Sequence, residues 1–349
     1  MEPRIAVDPE LLKLVSKLDH FRGLWVAGVG LPPERLLALR RVARMQSVAS
    51  SCRIAGNKAS EGEVASLLSG ETPATMEAAE LLGYATAIDR RFPFHGPLVT
   101  FDEVAELNAI VNGKSGTLVP PSPLRDTPIH LEVFDAEGRA LGRVLQTLPP
   151  RLLQDKVDTL LSWLEIELRR GEQHALLVIG VFFLYLTGIS PFEKGNGRTA
   201  RVMIPHLLRR SGYSFVDYSS WERVLDEQRL AYYDAIDAAE TKMWTDEADV
   251  GPWVRFYLES LHTLAVRLQS KMDIETRARE LPPLQRAILE TIREHGSGAA
   301  ALLMAATGAN RNTLKDNLRR LVDRGLLERI GSKRGTFYRL AGADVPREQ

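Results

Sequence analysis

The chain of 349 residues carries 45 Lys and Arg against 45 Asp and Glu, so its formal net charge is zero. No global field therefore directs it to nucleic acid or membrane, and any preference for such a partner must be local. The single cysteine, Cys52, excludes an internal disulfide framework and a cysteine-based metal cluster, and it favours a reducing, cytoplasmic location. The length predicts about two or three domains of roughly 100 to 200 residues each.

Apolar residues recur at spacings of three and four along most of the chain, which predicts a mostly α-helical protein. The pattern is clearest at 36–42, 157–164 and 254–264. The apolar run 175–186 spans only about a dozen residues, whereas a helix that crosses a bilayer needs about 20. We therefore expect a buried helix there and no membrane partner.

The segment 130–148 has strand character, and 135–138 is typical of a turn that joins two short strands into a β-hairpin. Further along, the charged and polar segment 270–280 indicates a domain boundary. We predict N-terminal helices at 1–95, a helical core with the hairpin at 96–270, a linker at 271–281, a small domain at 282–341 and a tail at 342–349.

The small domain has the pattern of three short helices followed by a β-hairpin with a basic tip, which resembles a winged helix-turn-helix of the α+β class. Residues 282–341 contain eleven basic against five acidic side chains, as expected for a surface that meets phosphate. In that class the third helix enters the major groove and the wing contacts the DNA backbone. The implied DNA-binding residues are Arg311, Asn312 and Lys315 on the helix and Lys333 and Arg334 in the wing. A module that mediates dimerisation or docks a protein partner remains the alternative.

The most informative string is GISPFEKGNGRTAR at 188–201, directly after the apolar run. Its glycines at 195 and 197 remove bulk where a helix begins, so backbone N–H groups can converge on an anion at the positive end of that helix. Arg198 and Arg201 lie three residues apart, and both can donate bidentate hydrogen bonds to phosphate. The residues themselves therefore predict a phosphate site.

The string resembles the motif H-P-F-x-D/E-G-N-G-R-x-x-R of the Fic family, whose members transfer AMP from ATP to protein hydroxyls. The matching residues are Pro191, Phe192, Gly195, Asn196, Gly197, Arg198 and Arg201. The resemblance implies a Fic-like helical bundle in which these residues and Lys194 bind ATP or another nucleotide. It also implies that the hairpin is a flap that pairs with a segment of a target protein as an added strand.

Three positions depart from the family pattern. Ser190 replaces the histidine that takes the proton from the target hydroxyl, and a lost general base typically costs about 10²- to 10⁴-fold in rate. Lys194 replaces the acidic residue that holds Mg²⁺, so its ammonium disfavours the metal and can instead neutralise phosphate oxygens. Ala55, in the segment 50–57, replaces the inhibitory glutamate that pairs with the second motif arginine, here Arg201.

Loss of the base, the metal ligand and the inhibitor together favours a catalytically impaired, nucleotide-binding regulator, a pseudoenzyme with a DNA-binding tail. Two alternatives stay open. In the first, the chain is an active protein adenylyltransferase in which Lys194 assists phosphate binding. In the second, it is a scaffold whose flap captures a partner strand. The sequence does not specify the target, the base of the nucleotide or the oligomeric state.

Overall fold

The structure is a computed structural model that describes residues 8–28, 31–90, 99–116, 119–134, 140–146, 148–240, 243–245, 248–279, 281–332 and 336–341. The first ten helices are α1 Pro9–Gly28, α2 Pro33–Ile54, α3 Glu61–Leu68, α4 Met76–Asp89, α5 Phe101–Val111, α6 Leu153–Arg170, α7 Ala175–Ile189, α8 Asn196–Arg210, α9 Trp221–Glu227 and α10 Arg229–Glu240. The others are α11 Gly251–Arg279, α12 Pro283–His295, α13 Ala300–Thr307 and α14 Arg311–Asp323. The strands are β1 His130–Phe134, β2 Ala140–Gln146, β3 Gly298–Ala299, β4 Leu327–Ile330 and β5 Phe337–Leu340.

The chain forms two compact units. One comprises Met1–Gly28 and Glu34–Ala265, and the other comprises Val29–Pro33 and Val266–Gln349. The boundary falls inside α11, and residues 271–279, where we expected a linker, continue that helix. They are mostly good helix formers without glycine or proline, so nothing in the local sequence stops the helix before Pro282.

Helix α7 lies at the centre of the first unit, and every residue from Leu176 to Ile189 is buried. This confirms the buried helix expected from the apolar run. Helix α11 approaches α7 closely because Gly180 has no Cβ, and an added Cβ would lie 2.7 Å from the Tyr257 ring. Beside this contact, Trp253 of α11 stacks on Phe183 at 4.7 Å and its indole N–H donates to the Gly180 carbonyl at 2.7 Å. The contact thus combines aromatic packing with a satisfied polar group.

Strands β1 and β2 pair antiparallel, with His130 opposite Gln146 and Leu131 opposite Leu145. An irregularity in the register lies between Glu132 and Phe134. The turn predicted at 135–138 lies outside the described residues.

The second unit has the order α12, β3, α13, α14, β4, β5, with a three-stranded antiparallel sheet in the order β3-β5-β4. Asn310 caps α14, since its side-chain oxygen accepts from the Thr313 amide at 2.9 Å. A buried apolar cluster joins the helices to β4. Its members are Leu281, Ile288, Leu289, Ile292, Leu303, Leu314, Leu318, Leu321, Leu326 and Leu327.

Within the part of the chain that the structure describes, none of the helices has the length and apolar character needed to cross a membrane.

Candidate functional site

The motif begins where α7 ends, at a left-handed corner formed by Ser190 (φ 44°, ψ 66°). It is the one non-glycine residue with a positive φ among the described residues. Its side chain is fully buried, and its hydroxyl donates to the Thr187 carbonyl at 2.6 Å. The group at the family's histidine position therefore points back into the end of the helix and caps one of its carbonyls.

Asn196 closes the loop between α7 and α8. Its side-chain oxygen accepts from the Phe192 amide at 2.9 Å, and its side-chain nitrogen donates to the Phe192 carbonyl at 2.7 Å. The buried Phe192 ring stacks on Phe101 with centroids 6.2 Å apart. The shape of the loop is thus fixed by side-chain to backbone hydrogen bonds at one end and by packing beneath it.

Gly195 precedes α8 with φ 76°, a conformation that favours glycine. A Cβ at this position would lie 2.6 Å from the side-chain oxygen of Asn112. The position therefore needs glycine both for its backbone conformation and for the close approach of α5.

Two buried asparagines hold the loop, Asn108 in α5 and Asn112 directly after its last residue. The Asn108 side chain donates to the Lys194 carbonyl at 2.9 Å and to the Thr199 hydroxyl at 3.0 Å. Asn112 donates to the same Lys194 carbonyl at 3.3 Å. Sequence reasoning missed both, although two asparagines four residues apart lie on one face of a helix beside its apolar residues and can signal a buried polar function.

Arg198, one turn into α8, is buried and forms a bidentate ion pair with Glu80 of α4. One terminal nitrogen donates to Glu80 Oε1 at 2.8 Å and to the Asn112 side-chain oxygen at 2.9 Å, and the other contacts Glu80 Oε2. The Nε–H of Arg198 is buried without a hydrogen-bond partner among the described residues. Glu80 was not foreseen, because nothing near it in the sequence marks it as a partner of the motif.

Arg201 is buried against α2. Its Nε donates to the Ser51 hydroxyl and one terminal nitrogen donates to the Ser51 carbonyl, both at 2.9 Å. Ala55 follows the end of α2 and is exposed. The absence of a glutamate at Ala55 therefore does not leave the Arg201 guanidinium unoccupied, since Ser51 takes up its donors.

Behind Ser51, a buried hydrogen-bond network fixes α2 to the bundle. Glu222 accepts from the Ser47 hydroxyl at 2.7 Å and from the Tyr84 hydroxyl at 2.9 Å. Burial and the neighbouring Glu222 carboxylate hold the pKa of Tyr84 well above its ordinary value. Tyr84 therefore stays neutral and donates. Helix α4 thus supports both arginines, Arg198 directly through the ion pair with Glu80 and Arg201 indirectly through the network that contains Tyr84.

The side chains of Glu193 and Lys194 are exposed at the outer turn of the loop. Within the described ranges, no three His, Cys, Asp or Glu side chains are grouped so that they could hold a metal ion. The donor chemistry at this turn, one ammonium beside one carboxylate, does not fit a divalent cation.

The residues predicted to contact DNA lie partly within the described chain. Arg311, Asn312 and Lys315 are exposed at the N-terminal end of α14, whereas Leu314 and Leu318 face the buried cluster. Lys333 and Arg334 lie outside the described residues. The structure thus brings the three helix residues onto one solvent-exposed end.

Sequence comparisons connect the chain to Fic enzymes. It is 32% identical over 130 residues to the protein adenylyltransferase Fic of Drosophila willistoni, a match that covers 33% of this chain and 24% of the relative. It is 29% identical over 151 residues to the protein of the same name from Drosophila virilis, covering 40% of this chain and 28% of that one. The chain thus spans about a quarter of the length of these curated relatives. No family model matches the chain.

Solved structures of Fic proteins share the fold. A Fic family protein from Desulfovibrio desulfuricans G20 superposes with a TM-score of 0.62 at 20% identity, over 99% of this chain and 100% of that one. A Fic domain-containing signaling protein from Bacteroides thetaiotaomicron gives a TM-score of 0.57 at 18% identity, over 75% of this chain and 97% of that one. The expected mostly helical, Fic-like fold is confirmed, and the sequence matches support a Fic domain within it.

Proposed function

We propose that this Fic-domain protein binds the phosphates of a nucleotide at the start of α8 and is impaired in AMP transfer. The observation that carries the impairment is Ser190, whose buried hydroxyl donates to the Thr187 carbonyl. A serine hydroxyl cannot accept a proton near neutral pH as an imidazole does. Its hydrogen bond also directs the proton of the hydroxyl into the protein.

Phosphate binding is supported by three features of the loop. The first amides of α8 have no partner within the helix, and the helix dipole favours an anion there. Gly195 and Gly197 leave the backbone accessible. Arg198 supplies a buried Nε–H that lacks an acceptor among the described residues, an expensive state for a donor of a charged group. ATP is the first nucleotide to test, because the relatives are named adenylyltransferases.

We propose no role for a divalent metal ion at this loop. Lys194 stands where the family motif has its acidic ligand, and its ammonium repels a divalent cation. The same ammonium, exposed at the turn, is suited to an oxygen of the phosphate chain.

Calorimetric titration with ATP, without and with Mg²⁺, tests nucleotide binding. Arg198→Lys should weaken binding by about tenfold or more, because lysine cannot reproduce the directed donors of a guanidinium. Arg170→Lys, at the exposed C-terminal end of α6, makes the same exchange elsewhere and serves as the control. Absence of heat for the unaltered chain would remove the nucleotide from the proposal and leave the flap scaffold.

An active protein adenylyltransferase is the second candidate, favoured by the names of the sequence relatives. Incubation with labelled ATP, Mg²⁺ and lysate separates the two candidates. We expect little transfer of label by the unaltered chain and more by the Ser190→His variant. Strong labelling by the unaltered chain would establish the enzyme instead.

For residues 282–341 we propose a winged helix that binds DNA. The order of three helices and a three-stranded sheet supports it, as do the exposed basic residues at the start of α14. Fluorescence anisotropy with duplex DNA at two salt concentrations should show steep weakening by salt. Lys315→Ala, and Lys333→Ala combined with Arg334→Ala, should weaken binding, whereas Arg286→Ala on α12 should not. No binding at low salt would favour the docking module.

For the hairpin we propose the role of a flap for a target protein. Among the described residues, β1 and β2 form a sheet of two strands, so each strand has one edge without a paired neighbour. An extended segment of a partner can add to such an edge through main-chain hydrogen bonds.

A further inference from the structure

Arg125 lies in the segment between α5 and β1, and its guanidinium is buried and bound to four backbone carbonyls. Its Nε donates to the Ser190 carbonyl at 2.8 Å, and one terminal nitrogen donates to the Thr127 carbonyl at 2.9 Å. The other terminal nitrogen donates to the Leu148 carbonyl at 2.5 Å and lies 3.4 Å from the Ile189 carbonyl. The backbone amide of Arg125 also donates to the Pro191 carbonyl at 2.9 Å.

No carboxylate pairs with Arg125 within the described ranges. Burial lowers the pKa of its guanidinium, as expected when a charge leaves water without a counter-ion. The compensation comes from carbonyl dipoles, of which Ile189 and Ser190 are at the negative C-terminal end of α7. A buried cation held in this way is costly compared with an apolar side chain, so stability alone gives no reason for it.

The four carbonyls belong to three separate pieces of the chain. Thr127 lies three residues before β1, and Leu148 lies two residues after β2, so one guanidinium holds both ends of the hairpin. Ser190 and Ile189 belong to the corner that opens the motif. An isolated two-stranded hairpin is only marginally stable in water, and its placement therefore depends on how its base is held.

We propose that Arg125 is the positioning residue that fixes the flap relative to the Ser190 corner. A target strand added to the flap would then be presented to the loop at a set distance, and this role rests on the proposed target-binding function of the flap. Arginine suits the position because its planar donors reach three directions at once, whereas a lysine ammonium on a flexible stem could satisfy the same carbonyls only poorly.

Amide hydrogen exchange of the full chain tests the proposal without knowledge of the target. In Arg125→Ala, the hairpin amides of 130–134 and 140–146 should exchange about tenfold faster or more, since a hydrogen bond to a charged donor is worth at least roughly that factor. Amides in the middle of α6 should change much less. Arg151→Ala, an exposed arginine just beyond Leu148, should leave the hairpin unchanged.

Chemical rescue distinguishes positioning by the guanidinium from general damage to the fold. Ethylguanidinium, at a concentration too low to denature, should restore slow exchange of the hairpin in Arg125→Ala, whereas ethylammonium of the same charge should not. Unchanged hairpin exchange in Arg125→Ala would overturn the proposal. Equal acceleration throughout the first unit without rescue would overturn it as well.

Calorimetry with ATP on the same variants separates this inference from the proposed nucleotide function. Because Arg125 contacts none of the first residues of α8, Arg125→Ala should bind ATP within about threefold of the unaltered chain, less than the loss of one net hydrogen bond. Loss of ATP binding in Arg125→Ala alone would show that its role is structural for the whole motif, against the proposal. Absence of ATP binding in the unaltered chain would refute the nucleotide function and leave the exchange result to decide on Arg125.

Discussion

Replacement of Gly195 by alanine tests whether the loop is held by the close approach of α5. At φ 76° a residue with a Cβ is strained by about 1–2 kcal/mol. The added Cβ would also lie 2.6 and 2.7 Å from the side-chain oxygen and nitrogen of Asn112, so that amide must move. Its movement breaks the hydrogen bond to the Lys194 carbonyl, at about 1 kcal/mol, and the bond to the charged Arg198, at about 1.5–3 kcal/mol. With the backbone strain, we therefore expect Gly195→Ala to lower the free energy of unfolding by about 3.5–6 kcal/mol.

Gly171→Ala is the matched control. Gly171 ends α6 with φ 66°, and nothing lies within 4 Å of an added Cβ there, so this variant carries the backbone strain without the clash. It should cost about 1–2 kcal/mol. The difference between the two variants isolates the contact with Asn112.

Denaturant titration followed by tryptophan fluorescence measures both costs, because all five tryptophans lie in the first unit. A double variant completes the cycle. In an Asn112→Ala background, Gly195→Ala should cost no more than Gly171→Ala does in the unaltered chain. If Gly195→Ala and Gly171→Ala were equally destabilising in the unaltered chain, the inferred contact between α5 and the loop would be refuted.

Three further predictions concern single side chains. Glu80→Gln should tighten ATP binding about tenfold in calorimetry, because a hydrogen bond to a charged group is worth about 1.5–3 kcal/mol and the terminal nitrogens of Arg198 become available to phosphate. Glu77→Gln, exposed on the same helix, is the control. Weaker binding in Glu80→Gln would show that the carboxylate instead orients the arginine. Burial lowers the pKa of His206 from 6.5 to about 4, so the unfolded chain takes up a proton that the folded chain excludes, and stability should fall by up to about 3 kcal/mol as the pH drops through this interval. His206→Gln should flatten that fall in denaturant titrations at pH 7 and near pH 4, and an unaltered slope would contradict the assignment. Leu318→Ala should destabilise the second unit by about 2–5 kcal/mol, seen as faster amide exchange in α12 and α14, because Leu318 is buried in its apolar cluster; unchanged exchange would mean that this cluster does not hold the unit together.

Local patterns in the sequence were sufficient for several elements. The apolar run 175–186 predicted the buried helix α7, and the strand pattern at 130–148 predicted the pairing of β1 with β2. Strand β3 was not predicted, because its two residues are too few to show a periodicity. The polarity of 271–281 predicted an exposed linker. The segment is largely helical instead, because its residues favour helix.

The sequence predicted one part of the candidate site and not the other. The motif itself could be read, since Gly195, Asn196 and Gly197 are adjacent in the chain. The partners of its arginines could not, because Ser51 and Glu80 lie more than a hundred residues earlier and reach the motif through packing of α2 and α4. Arg125 likewise gives no local signal, since all its side-chain partners are backbone carbonyls.

The two hydrogen bonds between the Asn196 side chain and the Phe192 backbone have a thermodynamic consequence for an anion that binds the loop. Because these hydrogen bonds already hold the backbone in shape, no free energy of binding is lost to ordering the loop. Its affinity is set instead by dehydration of the anion and by its competition with the Glu80 carboxylate for the guanidinium of Arg198. Binding should therefore proceed with a small change in heat capacity, unlike a segment that folds around its partner.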